Sequence, residues 1–146
     1  MDINETLNEV LVKLFRDINT IEERAIRTGE YRDVTANDMH VIEAIGTGEA
    51  KNMTAVAKLL SVTTGTLTIS MNSLVKKGYV QRVRSEEDRR VVLVSLTEKG
   101  KRAFHHHKQF HDAMIREVLK GLDPQEQEIL RRSLLNLMAF FEKKKG

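Results

Sequence analysis

The hydrophobic period of this chain changes twice, and that change constrains the fold more than any other feature. From Leu7 onward, Leu7, Val10, Leu11, Leu14, Ile18, Ile21 and Ala25 recur at the three- and four-residue spacing of a helix. Between residues 79 and 96 the pattern gives way to two short runs rich in β-branched residues, Tyr79 to Arg84 and Val91 to Leu96. Six polar residues, Ser85 to Arg90, separate them as a hairpin loop. Helical spacing returns at Thr97. A single hairpin inside a helical chain predicts a mainly α fold with a small β-hairpin wing, an α+β arrangement in one domain spanning residues 1–146.

Start and stop signals divide the helical part. The first helix is expected from about Ile3 to Thr28, ending near Gly29. Thr35 followed by Asp38 reads as an N-cap with an acid in the first turn. It opens a helix with Val41, Ile42 and Ile45 inward and Gly46 as its stop. Thr54 is expected to cap a short helix through Leu60, Ser61 to Thr63 to form a turn, and a further helix to run to Lys77, with Gly78 ending it. Another runs from Thr97 to about Lys120, before Gly121. Asp123-Pro124-Gln125-Glu126 is a strong start for the last helix, which carries Ile129, Leu130, Leu134, Leu137, Met138 and Phe141.

Composition narrows the function. Without cysteine there is no disulfide, thiolate zinc site or cysteine nucleophile. No apolar run approaches the ~20 residues that span a membrane, and the acidic start Met1-Asp2-Ile3-Asn4-Glu5 is unlike a signal peptide. The expectation is a soluble cytoplasmic protein with no membrane partner. No phosphate loop or nucleophile constellation is present, so no enzyme and no cofactor are expected. The net charge of +3 is unevenly placed. Residues 51–104 hold eleven Lys and Arg against four Asp and Glu, whereas the remainder is net acidic. A basic block in an acidic frame is the footprint of a nucleic-acid site, although a solvated charged face gives the same signal.

Two short helices joined by a tight turn and followed by a hairpin describe a winged helix-turn-helix, here residues 33–97. On its second helix Leu67, Met71, Leu74 and Val75 form an apolar stripe that must face the core. Thr64, Gly65, Thr66, Thr68, Ile69, Asn72, Ser73 and Lys76 fall elsewhere. Small hydroxyl and amide side chains suit base edges and phosphates, and Ile69 suits a thymine methyl. In the hairpin, Arg82 and Arg84 share one strand face, and Arg89 and Arg90 stand beside Asp88 in the loop. An arginine at the tip of a thin ribbon matches the negative potential of a narrow minor groove. The expected partner is double-stranded operator DNA. An ordinary amphipathic surface helix would show much of the same stripe.

The stretches Met53 to Thr63, Leu74 to Val80, Glu87-Asp88-Arg89-Arg90 and Leu96-Thr97-Glu98-Lys99-Gly100 resemble the MarR family of bacterial regulators. The resemblance implies a homodimer built from terminal helices, here residues 3–28 and 97–144, a pseudo-palindromic operator and a small-molecule effector. Asn37 to Gly46, Gly65-Thr66-Leu67-Thr68, Arg82 to Glu86 and His107 to His111 are most similar to its fatty-acid-synthesis repressor branch (FabT). That branch implies repression of fatty-acid synthesis genes, with long-chain acyl-acyl carrier protein as corepressor and acyl carrier protein as a partner. Many family members carry a polar or basic residue where Ile69 stands, so base preference does not transfer there.

His107 and His111 lie four apart on the stripe Phe104, His107, His111, Met114, Val118. One expectation is an effector pocket for an acyl chain near Leu14, Ile18, Ile42, Phe104, His107, His111 and Met114. The alternative is a zinc-responsive repressor in which His40, His107 and His111 bind the metal with a carboxylate such as Glu22 or Glu23. Two hydrogen-bonded histidines in a partly buried wall explain the same pattern without any ligand. His105 and His106 fall off the stripe and are expected to be exposed.

Overall fold

Capping and chain reversal set the element boundaries in the computed structural model, which describes residues 1–27 and 29–145. Thr35 and Asp38 form a reciprocal capping box: Asp38 N–H donates to the Thr35 hydroxyl at 3.0 Å, and Thr35 N–H donates to the Asp38 carboxylate at 3.1 Å. Helix α3 (Ala36–Ile45) follows, and Gly46, at φ +69°, ends it. Helix α4 (Met53–Leu60) is capped by Asn52, whose side-chain oxygen accepts from Ala55 N–H at 2.8 Å. The expected cap, Thr54, is therefore two residues too late, because the helix already begins at Met53. Ser61 takes the left-handed conformation (φ 55°) and reverses the chain into α5 (Thr64–Lys77), which ends on Gly78 at φ +88°.

The N-terminal helix is not the uninterrupted one expected. Helix α1 (Ile3–Asn8) passes into a π-helical segment (Glu9–Leu14) and then α2 (Phe15–Arg27). A π turn spends one extra residue per turn, so the side chains beyond it are rotated relative to a continuous α-helical stripe. Thr28, the expected end of this helix, lies outside the described residues.

The hairpin becomes a three-stranded antiparallel sheet of order β1-β3-β2, with β1 (Lys51–Asn52), β2 (Val80–Arg84) and β3 (Val92–Leu96). Strand β1 is two residues long, too short for any sequence period. Strands β2 and β3 each start one residue later than expected. Tyr79 is fully buried, and its carbonyl accepts from Thr97 N–H at 3.0 Å, outside the ladder. Val91 belongs to the loop, where its N–H donates to the Asp88 carbonyl at 2.9 Å. Arg82 pairs opposite Val94 and Arg84 opposite Val92.

The chain divides into two compact units, residues 1–108 and 109–146, with α6 (Glu98–Leu119) running through the division. The first holds the core: Ile42, Ile45, Val56, Leu67, Met71, Leu74, Tyr79 and Val94 are at 0–1% exposure. Val41, Ile42 and Ile45 point inward, as their spacing predicts. Truncating a leucine or methionine of this cluster to alanine typically costs ~2–5 kcal/mol. The second unit carries α7 (Pro124–Lys145), opened by Asp123 and Glu126 as a reciprocal cap at 2.9 and 3.0 Å. No described helix is long and apolar enough to cross a membrane.

Candidate nucleic-acid interface

Helix α5 is positioned by its buried stripe and two polar ties. Leu67, Met71 and Leu74 are buried and Val75 is half-buried against them. Lys77 Nζ donates to Asp38 at 2.9 Å, and that carboxylate is only 7% exposed; Asn37 donates to the Ser70 hydroxyl at 3.0 Å. Asp38 thus both caps α3 and anchors the C-terminal end of α5. The capping role was legible in sequence, whereas the partner 39 residues away was not.

The opposite face is open. Thr64, Gly65, Thr66, Thr68, Asn72 and Lys76 are exposed, Ser73 is half-buried, and Ile69 is 75% exposed. Thr63 caps the helix: its hydroxyl accepts from Thr66 N–H at 3.1 Å and donates to the Thr66 hydroxyl at 3.0 Å. That leaves the Thr66 hydroxyl proton directed elsewhere. Thr68 donates to the Thr64 carbonyl at 2.8 Å and keeps lone pairs for a donor. A Cβ built at Gly65 meets nothing closer than 3.9 Å, so the fold does not demand glycine there.

The wing is cross-braced. Alternation along β2 places Val80, Arg82 and Arg84 on one face, and Val80 is in the core. Arg82 donates to the Asn72 side-chain oxygen, linking wing to helix. Arg84 donates to the Arg89 carbonyl at 2.8 Å. Asp88 holds Arg90 through Nε and Nη2 at 3.1 and 3.0 Å and accepts from Arg90 N–H as well. Those bonds keep the Asp88 carboxyl below its usual range. Among the described residues, no group engages the Arg89 guanidinium, so one arginine at the wing tip is left to solvent.

The rear of the wing is pinned at Tyr79. Its hydroxyl donates to Asp33 at 2.5 Å, and burial with that neighbouring carboxylate pushes its pKa far upward. Thr97 donates to the Gly78 carbonyl at 2.6 Å and accepts from Gly100 N–H at 3.1 Å. Thr97 therefore caps α6 while bonding the end of α5, which explains a Leu-Thr-x-x-Gly sequence after the wing.

This arrangement matches known regulators. A family model described as Transcriptional regulator SarA/Rot matches residues 28–107, more than half of the chain. FabT of Streptococcus pneumoniae, solved in complex with DNA, is 39% identical with a TM-score of 0.85, covering 96% of this chain and 98% of that one. This chain belongs to the MarR and SarA/Rot winged-helix transcription regulators. SarZ of Staphylococcus haemolyticus is 41% identical over 68 residues, 47% of this chain and 46% of that protein. Apo wild-type MarR of E. coli is 28% identical with a TM-score of 0.58, covering 86% and 93%. The regulator is a DNA-binding transcription factor, and members of this family are not enzymes.

The expected effector residues are divided between the two units. In the first unit Ile42 is at 0% exposure inside the core, Phe104 is half-buried against that core, and Leu14 is 45% exposed. Ile42 therefore packs rather than lining an open tunnel. Met114 and His111 belong to the second unit. His105 and His106 are exposed, as their spacing predicts. His107 is 4% exposed, with Nε2 2.8 Å from Glu22 Oε1 and 2.5 Å from Glu43 Oε1. His40 is exposed and stands outside this group; Glu43, one turn later on α3, meets the imidazole instead. A separate cleft of about 280 Å³, lined by Glu23, Ile26, Arg32, Val34, Thr35, Ala36 and Asn37, was not foreseen.

Proposed function

We propose that this regulator represses fatty-acid synthesis genes as a homodimer, with long-chain acyl-acyl carrier protein as corepressor. The observation that carries the reading is the 39% identity to FabT over 96% of the chain, well above the 28% of E. coli MarR. Helix α5 enters the major groove with Thr66, Ile69 and Asn72 toward bases and Thr64 and Ser73 near phosphates. The wing carries Arg89 to the minor groove.

Assembly is supported by exposed apolar residues within each unit. Ile3, Leu7, Val10, Leu11 and Phe15 are 39–68% exposed in the first, and Ile129, Leu134, Leu135, Met138, Phe140 and Phe141 are 47–62% exposed in the second. Surfaces of this kind mark interfaces. Sedimentation at micromolar concentration should give a dimer; a monomer that still binds operator would reject it.

A second reading has its own observation: the ligand atoms of Glu22, Glu43 and His107 lie within 4.8 Å of one another. Imidazole and carboxylates are a donor set that suits zinc. In that case Glu22, Glu43 and His107 hold the ion, which supplies charge that joins α2, α3 and α6, and the regulator responds to metal. The deciding experiment measures operator affinity across a series of acyl-acyl carrier protein esters, each with zinc and with chelator. Affinity that climbs with chain length, by up to ~0.8 kcal/mol for each buried methylene, and ignores chelator supports the acyl reading. A flat series with a strong chelator effect replaces it with zinc.

The recognition helix has a direct test. Ile69→Ala is expected to lose the preference for thymine over uracil at one operator position, a difference of about 1 kcal/mol for one buried methyl group. Equal discrimination by parent and variant would remove Ile69 from the base-reading surface.

A further inference from the structure

The contact between Arg82 and Asn72 decides what the asparagine is able to read. Asn72 lies on the exposed side of α5, three residues after Ile69 and on the same outward stripe. Arg82 lies on the β2 face shared with Val80, opposite Val94. Its Nη2 donates to Asn72 Oδ1. A guanidinium has donors only, so the amide is obliged to present its oxygen to Arg82; the orientation follows from the chemistry of the partner.

An unrestrained asparagine pairs with adenine through both its atoms: the amide oxygen accepts from N6 and the amide nitrogen donates to N7. Here one of the oxygen's two lone pairs is committed to Arg82, which turns the oxygen toward the wing and leaves the NH2 group as the free end of the amide. Arg82 adds the rest of its guanidinium fork. The two side chains together form a surface on which donors outnumber acceptors. In the major groove, the purine edge made of two acceptors and no donor is guanine, through N7 and O6. We infer that Asn72 and Arg82 act as one donor-rich reading unit that favours guanine over adenine at the base facing Asn72. Arg82 is thus a specificity-determining residue of the wing strand, acting in the major groove through the recognition helix. This rests on the proposed placement of α5.

Enrichment of duplexes with a randomised core tests the inference, using the full chain and its Arg82→Ala, Asn72→Ala and doubly substituted variants. Both residues are exposed, and thermal midpoints are recorded alongside to confirm that each variant folds. The position whose preference disappears in Asn72→Ala identifies the base that Asn72 reads. The parent is expected to select guanine there. Arg82→Ala should shift that position by ~5-fold or more toward adenine, since the freed amide oxygen can accept from N6. The double variant should show the flat profile of Asn72→Ala. An adenine preference in the parent, or an unchanged profile in Arg82→Ala, overturns the inference. So does a uniform loss of affinity on all sequences with a flatter salt dependence, which would make Arg82 a phosphate contact. If the parent enriches no sequence at all, the failure belongs to the placement of α5 instead.

Discussion

Gly100→Ala is expected to destabilise the fold by about 3 kcal/mol or more, near the upper end of what overpacking a core costs. A Cβ at Gly100 would lie 2.0 Å from the Tyr79 carbonyl oxygen and 3.2 Å from Leu96 Cβ. The oxygen cannot easily retreat. It accepts from Thr97 N–H, while the Tyr79 ring is fully buried and tied through its hydroxyl to Asp33. For a chain of this length, the melting midpoint should fall by roughly 10 °C. Gly65→Ala is the matched control. Its site is open, and alanine removes up to ~1 kcal/mol of glycine's helix penalty, so the melting point should hold or rise. A Gly100→Ala protein that melts within about 2 °C of the parent would show that α6 does not approach Tyr79 this closely.

Arg89→Ala should cost operator binding about 1–3 kcal/mol, a loss of ~5- to 150-fold, with the melting point nearly unchanged. It is the wing-tip arginine that no described residue engages, whereas Arg90 is committed to Asp88 through two side-chain bonds. The log-log salt dependence should flatten by about one unit if Arg89 neutralises one phosphate. Arg90→Ala should weaken binding less, through loss of the loop shape that Asp88 maintains. Affinity measured by anisotropy at several salt concentrations distinguishes the two. Parent-like binding by Arg89→Ala would mean that the wing does not reach DNA.

Much of this fold is legible in the sequence. Helix ends with local chemistry were accurate: Thr35 with Asp38 and Asp123 with Glu126 both form the caps their spacing predicts. Each needs only residues three apart. The Leu67, Met71 and Leu74 stripe faces the core because helical period alone assigns the face. Misreadings fell where a local signal was weak or ambiguous. Asn52 and Thr54 are both acceptable caps, and only the chain path selects Asn52. Strand β1 has two residues and owes its existence to β3, its pairing partner. The π-helical segment at Glu9–Leu14 leaves no mark on a pattern that also fits an unbroken helix.

The sequence by itself determined which side of each helix is apolar, where the hairpin turns, and that the basic residues cluster around a small polar face. These follow from period, caps and charge, all properties of neighbours along the chain. The tertiary structure decided which groups meet across it. It set Glu43 rather than His40 against His107, Lys77 on Asp38, Arg82 on Asn72, and the Gly100 backbone against Tyr79. Periodicity tells a side chain to point inward or outward but names no partner. A partner far along the chain is fixed only when packed helices and a paired strand bring both residues to one place.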